Sequence, residues 1–214
     1  EAFVRSAHAI IVFPGGVGTA EEILYLLGIL LHPRNVGIPF PLIFSGPRES
    51  AAYFEQIDRF LRLALGDDVA KYYQIIVDDP ASVARSVVKG IERVRKYRLD
   101  NSDAFFFNWA INIDESLQHP FVPSHAAMAS LNLHRDQPKH RFAADLRRAF
   151  SGIVAGNVKI EGMRAIEQHG PFRIHGDREI MQALDALLAS FVEQDRMKLP
   201  GGAAYVPCYR ISTE

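Results

Sequence analysis

Ala9-Ile10-Ile11-Val12-Phe13-Pro14-Gly15-Gly16-Val17-Gly18-Thr19-Ala20-Glu21-Glu22 is the stretch that decides the fold class. Ala9 to Phe13 is a short, continuous apolar run, the mark of a strand buried on both faces. Pro14 to Thr19 breaks it. Ile23, Leu24, Leu26, Leu27, Leu30 and Leu31 then recur at helical spacing until Pro33 stops the helix. A buried strand, a glycine turn and a helix in that order are the opening of a parallel α/β unit.

The pattern repeats downstream. Pro41 to Phe44 reads as a second strand closed by Ser45-Gly46-Pro47, and Tyr53, Ile57, Phe60, Leu61 and Leu65 form the next helical stripe. Tyr73 to Val77 is a third strand. Asp79-Pro80 then opens a helix as N-cap and first position, with Val83, Val87, Ile91 and Val94 on its apolar face. This order predicts a Rossmann-like parallel sheet covered by helices over residues 1–100, with its N-terminal part lying upstream of Glu1. A boundary is expected near Tyr97 to Asp103, followed by a smaller α+β module over 101–214. Its expected elements are a strand from Phe105 to Ile113, helices over Ala126–Leu133 and Arg141–Val154, and a strand from Pro171 to His175. A long helix from Asp177 to Met197, with Asp177 as cap, and a closing strand from Tyr205 to Ile211 complete it.

Composition narrows the classes. The 214 residues are 48% hydrophobic and 23% charged, ordinary globular values. Twenty-four Lys and Arg against 25 Asp and Glu give a net charge of -1, which argues against a general nucleic-acid coat. Cys208 is the single cysteine, so no intrachain disulfide or multi-cysteine metal site can form, and a reducing, cytoplasmic setting is expected. No apolar run reaches the ~18–20 residues that span a bilayer, so no membrane partner is expected. The chain starts on Glu1, already close to a strand and without a signal peptide, which reads as a piece of a longer protein.

The glycine turn is an anion site by its physics. The first amides of a helix have no internal partners, and the helix dipole is positive there. Glycines let a phosphate approach the backbone, and Thr19 adds a hydroxyl. There is no Gly-x-x-x-x-Gly-Lys, and Gly16-Val17-Gly18 lacks the third glycine of a dinucleotide fingerprint. A monophosphate therefore fits better than a triphosphate. Glu22 has two readings. Thr19-x-x-Glu22 matches a capping box, in which Glu22 folds back onto the Thr19 amide. Alternatively, a carboxylate one turn into a phosphate-binding helix faces the sugar of a bound nucleotide and stabilises the oxocarbenium-like charge of a breaking N-glycosidic bond.

Pro14-Gly15-Gly16-Val17-Gly18-Thr19-Ala20-Glu21-Glu22 resembles the signature Pro-Gly-Gly-x-Gly-Thr-x-x-Glu of the LOG family, whose members are often labelled lysine decarboxylases. The resemblance implies hydrolysis of purine and pyrimidine nucleoside 5′-monophosphates to free base and ribose 5-phosphate, with no cofactor. It implies phosphate binding at Gly15, Gly16, Val17, Gly18 and Thr19 and a catalytic role for Glu22. The family also uses an Arg and a glycine-rich loop upstream of this motif, both expected before Glu1; Arg5 lies too near the motif to be that Arg. The resemblance further implies a homodimer or homotetramer and a (p)ppGpp effector, to which Arg93, Arg95, Lys96 and Arg98 or Arg135, Lys139, His140, Arg141, Arg147 and Arg148 could contribute. The alternative function is a nucleotide or alarmone sensor that binds without turnover. The decarboxylase label fails its own test: Ser124-His125 is followed by Ala126-Ala127, and no lysine sits in a Schiff-base motif.

The remaining signals read as structural. Ser45-Gly46-Pro47 is expected to be a turn, Tyr53 to be core, and the first basic cluster to be a solvated helix end. His119, His125, His134 and His140 lack metal-ligand spacing, so no metal is expected. Pro200-Gly201-Gly202 reads as a turn, and Cys208 as packed.

Overall fold

The computed structural model describes residues 2–103, 110–197 and 205–212. A parallel sheet is built from β1 (Ile10–Val12), β2 (Leu42–Gly46) and β3 (Gln74–Val77) in that spatial order, with Ile10 opposite Leu42 and Phe44 opposite Ile75. A short helix, α1 (Ala2–Ser6), precedes β1; α2 (Val17–Leu30) follows it, α3 (Ala51–Leu65) follows β2, and α4 (Pro80–Asp100) follows β3. Asp79 caps α4 by accepting the Ser82 amide at 2.8 Å, with Pro80 in the first turn. The fold class is α/β, as the strand–helix alternation predicts.

Beyond α4 the chain is mostly helical. α5 (Glu115–Gln118), α6 (His125–Ala129), α7 (Lys139–Val158), α8 (Ile160–His169) and α9 (Arg178–Glu193) accompany a second parallel pair, β4 (Phe172–His175) with β5 (Tyr209–Ser212). From Ile23 to Leu30 every residue of α2 is buried, with α7 packed along it within the apolar core. α3 packs against α9, with the Tyr53 and Phe191 ring centroids 5.6 Å apart. One contiguous apolar core therefore runs from β1 to Tyr209.

Several expected elements change in the fold. Residues 110–113 are not a strand, and 104–109 lie outside the described residues. Ile111 and Ile113 are buried, and a side chain takes the place of a ladder: the Asn35 amide donates to the Asn112 carbonyl at 2.7 Å and accepts the Asn112 amide at 2.8 Å. α6 stops at Ala129, because Leu131 and Leu133 are drawn into the core and Leu133 bridges to Gly176 beside β4. The last strand begins only at Tyr209, and α9 ends at Glu193. Asp177 stands at the N-cap position of α9, but its carboxylate goes elsewhere, to His134 Nδ1 and to the Arg135 amide and Nε, each at 3.0 Å. α8 has no fully buried residue, and the sequence reading assigned no element to it. The Pro200-Gly201-Gly202 turn falls outside the described residues.

Candidate functional site

The glycine turn lies where β1 hands over to α2. Gly16 is the N-cap residue of α2, and its carbonyl takes the amides of Thr19 at 3.1 Å and Ala20 at 3.2 Å. No hydrogen bond among the described residues takes up the amides of Val17 and Gly18. They are the orphan donors of a fourteen-residue helix, at the positive end of its dipole. The turn is tightly built. A methyl on Gly15 would fall 2.0 Å from Thr19 Oγ1, and one on Gly16 would fall 2.1 Å from the Arg196 carbonyl oxygen. Arg196, just beyond α9, also lays its guanidinium 5.0 Å from the ring centre of Tyr53. Tyr53 is core, as its spacing predicts; its hydroxyl faces the Gly15 backbone, and burial pushes its pKa up to about 12.

This geometry overturns the capping-box reading. With Gly16 as N-cap, Thr19 is the third helical residue, and its amide already bonds to Gly16. Glu22 sits three residues further on, too far along the helix to reach the N-cap amide. It is an exposed carboxylate on the wall of a cavity instead.

That cavity holds about 360 Å³, within the ~300–1,000 Å³ range of small-molecule sites. One wall is a single stripe of α2: Gly18, Glu21, Glu22 and Tyr25 stand at i, i+3, i+4 and i+7. Phe3 of α1 and Leu117 to Pro120 from α5 and its end make two others, and Arg147 reaches in from α7. Arg147 Nε lies 3.4 Å from Glu21 Oε1, both side chains being mostly buried, and the guanidinium carbon is 5.5 Å from the Tyr25 ring centre. Burial pushes the Glu21 carboxyl above its usual range, against the opposing pull of Arg147 and of a hydrogen bond from Ser151. The structure thus places Gly18 and Glu22 on one cavity, backed by Gly15, Gly16, Val17 and Thr19. It adds Glu21, Tyr25, Gln118, His119 and Arg147, which the sequence reading did not assign to the site. Helical spacing of i+3 and i+7 from Gly18 is the signal that could have found Glu21 and Tyr25; no local signal points to the others.

The weaker signals find structural roles. Ser45, Gly46 and Pro47 border a separate 300 Å³ recess with Phe13, Asp78 and Asp79 at the carboxyl ends of the strands. A 430 Å³ cavity at the opposite end of the sheet carries Lys71 and, from the first basic cluster, Arg93, and none of the residues expected to bind the substrate phosphate or act in catalysis. The first basic cluster is not simply a solvated helix end: Arg98 is fully buried, its Nε 3.2 Å from Asp103 and its Nη1 3.0 Å from His8 Nε2. The second cluster is largely divided among acidic partners, Arg135 with Asp177 and Glu179, Lys139 with Asp68, and Arg148 with Asp145. His32, Asp114 and His140 form the one trio of potential metal ligands among the described residues. Two of the three already serve the backbone: His32 Nδ1 accepts the Arg34 amide at 3.2 Å, and Asp114 caps α5 at the Ser116 amide. Cys208 is buried, and burial pushes its thiol up to about 12, far from a reactive thiolate.

Fold and site together define an α/β protein with a glycine turn at the start of α2 and a carboxylate pair on one stripe of that helix. Residues 91–212 match the family described as pyrimidine/purine nucleotide monophosphate nucleosidase, C-terminal, and the chain belongs to that family. Residues 1–87 match the family described as possible lysine decarboxylase. No lysine lines the α2 cavity among the described residues. The chain is 58% identical over 213 residues to the pyrimidine/purine nucleotide 5′-monophosphate nucleosidase of Escherichia coli strain K12, covering 100% of this chain and 47% of that protein. The proteins of the same name from Escherichia coli O6:H1 and O157:H7 match equally, at 58% identity. The chain therefore spans about half the length of the curated relatives it matches.

Proposed function

We propose that this chain supplies the glycine turn and the acidic helix of a nucleoside 5′-monophosphate nucleosidase, an enzyme that hydrolyses the N-glycosidic bond to free base and ribose 5-phosphate. The observation that carries the reading is the position of Glu22. It is released from any capping role and faces the same cavity as Gly18, one turn along α2 from the orphan amides. The names of the 58%-identical relatives support it. The 5′-phosphate sits on the amides of Val17 and Gly18 with the Thr19 hydroxyl nearby, and this remote binding fixes the ribose over Glu22. The C1′–N bond breaks with its electron pair leaving on the base. The carboxylate of Glu22 stabilises the cationic sugar and orients the water whose oxygen bonds to C1′. The water proton is released to Glu22 or solvent, and a proton from solvent completes the base. A cytoplasmic setting fits the substrate and the buried, unpaired thiol of Cys208.

The test uses the full-length protein with GMP or UMP and follows free base by chromatography. Glu22→Gln lowers kcat about 10²–10⁴-fold while binding of ribose 5-phosphate persists. Unchanged base release in the variant removes Glu22 from the mechanism. Nucleotide binding without any release from the unsubstituted protein makes it a sensor.

A further inference from the structure

We propose that Arg147 is the residue at the nucleobase end of the site, where its guanidinium donates to the departing base and takes up the negative charge that the base acquires as the C1′–N bond breaks. This rests on the nucleosidase reading and extends it to the half of the substrate that the glycine turn does not touch.

Three observations converge on it. The first is the order of groups along α2. At ~1.5 Å of rise per residue, Glu22 lies about 6 Å beyond Gly18, and Tyr25 about 4.5 Å further. A nucleotide laid along this stripe with its phosphate at Gly18 and its sugar at Glu22 brings its base to Tyr25, where Arg147 reaches in from α7. The second is the state of the guanidinium. Its Nε faces Glu21 at 3.4 Å, while Nη1 is buried with no hydrogen-bond partner among the described residues. A buried, unused charged donor is costly unless a ligand takes it up. The third is chemical complementarity. The base leaves with an electron pair on a ring nitrogen and delocalises it onto its carbonyl oxygens, and a planar guanidinium in a partly buried site is the side chain best suited to such a spread anion. Glu21 positions that guanidinium, and its counter-charge keeps Arg147 from collapsing onto Glu22.

In the balanced step, the C1′–N electron pair passes to the base, water closes the C1′–O bond, and the proton that completes the base comes from solvent. Arg147 gives up no proton; it lowers the energy of the anion by hydrogen bonding, the role of an oxyanion-hole donor.

The alternative is a purely structural Arg147 that ties α7 to α2 through Glu21, and the experiment separates the two by leaving-group dependence. Full-length protein and Arg147→Gln are compared on UMP and on 5-fluoro-UMP, whose fluorine stabilises the departing base without enzymatic help. Arg147→Gln is expected to lose about 10²–10³-fold in kcat on UMP and markedly less on 5-fluoro-UMP, with inhibition by ribose 5-phosphate unchanged. The double variant Glu21→Gln/Arg147→Gln leaves neither charge of the pair uncompensated, and it carries the same readout where the single variant does not fold. An equal loss on both substrates, recovery of activity in the double variant, or weakened ribose 5-phosphate inhibition overturns the proposal while leaving the nucleosidase reading in place. Absence of base release from the unsubstituted protein overturns both.

Discussion

A methyl group added at Gly16 and one added at Gly18 should have opposite effects, although the two glycines are two residues apart in one motif. At Gly16 the methyl would lie 2.1 Å from the Arg196 carbonyl oxygen, whereas real Cβ atoms stay beyond 3.0 Å. About 1 Å of main-chain movement is needed, as in other overpacked sites. Arg196 resists it, since its amide bonds to the Phe191 carbonyl at 2.7 Å and its guanidinium lies on Tyr53. Overpacking of this kind costs about 1–3 kcal/mol. For a protein of this size that is a fall in Tm of roughly 2–12 °C. At Gly18 a methyl meets nothing within 4 Å among the described residues, and the residue is helical. Gly18→Ala should therefore gain about 0.5–1 kcal/mol from helix propensity. With the 5′-phosphate bound as proposed, the same methyl crowds the approach of the anion, and KM for UMP is expected to rise. Thermal unfolding and base release measured side by side test the pair. A Gly16→Ala protein that melts with the unsubstituted one, or a Gly18→Ala protein that melts lower, would refute this account of the turn.

Two further outcomes follow from charges inside the fold. Asp103→Asn removes the carboxylate from a fully buried Arg98 and should destabilise by about 3 kcal/mol, measured by urea unfolding; a change under about 1 kcal/mol would show that the guanidinium is held without that charge. His140 is held below its ordinary 6.5, first by burial and then by its neighbours His32 and Arg141, with Asp114 pulling the other way. A depressed histidine favours the folded state in its neutral form, so its contribution is complete above ~6.5 and is lost as pH falls through the lower folded value. His140→Gln should flatten the decline in stability below pH ~6.5, read from unfolding midpoints between pH 7 and 5.

How much of this could be read beforehand varies with how local the cause is. Asp79-Pro80 announced the start of α4 because the cap and its amide are three residues apart. Residues 110–113 misled because the backbone of Asn112 is held by the side chain of Asn35, 77 positions away in sequence, and no periodicity records such a partner. Arg98 read as a solvated cation because its burial depends on His8 and Asp103 closing over it from outside α4. Gly15 to Thr19 and Glu22 stood out as a local pattern, whereas Arg147 was one basic residue among several until α7 packed on α2.

The sequence by itself determined the parallel strand–helix order and the glycine turn with its acidic helix, since turn chemistry, capping and side-chain period act over a few residues. Only the tertiary structure decided that Gly16 rather than Thr19 caps α2, because the Arg196 carbonyl and the Gly16 hydrogen bonds fix where the helix begins. That shift of three residues turns Glu22 from a cap into a cavity wall. The same packing of α7 and α5 against α2 encloses the space in front of it, since a cavity is made by surfaces that meet from distant parts of the chain.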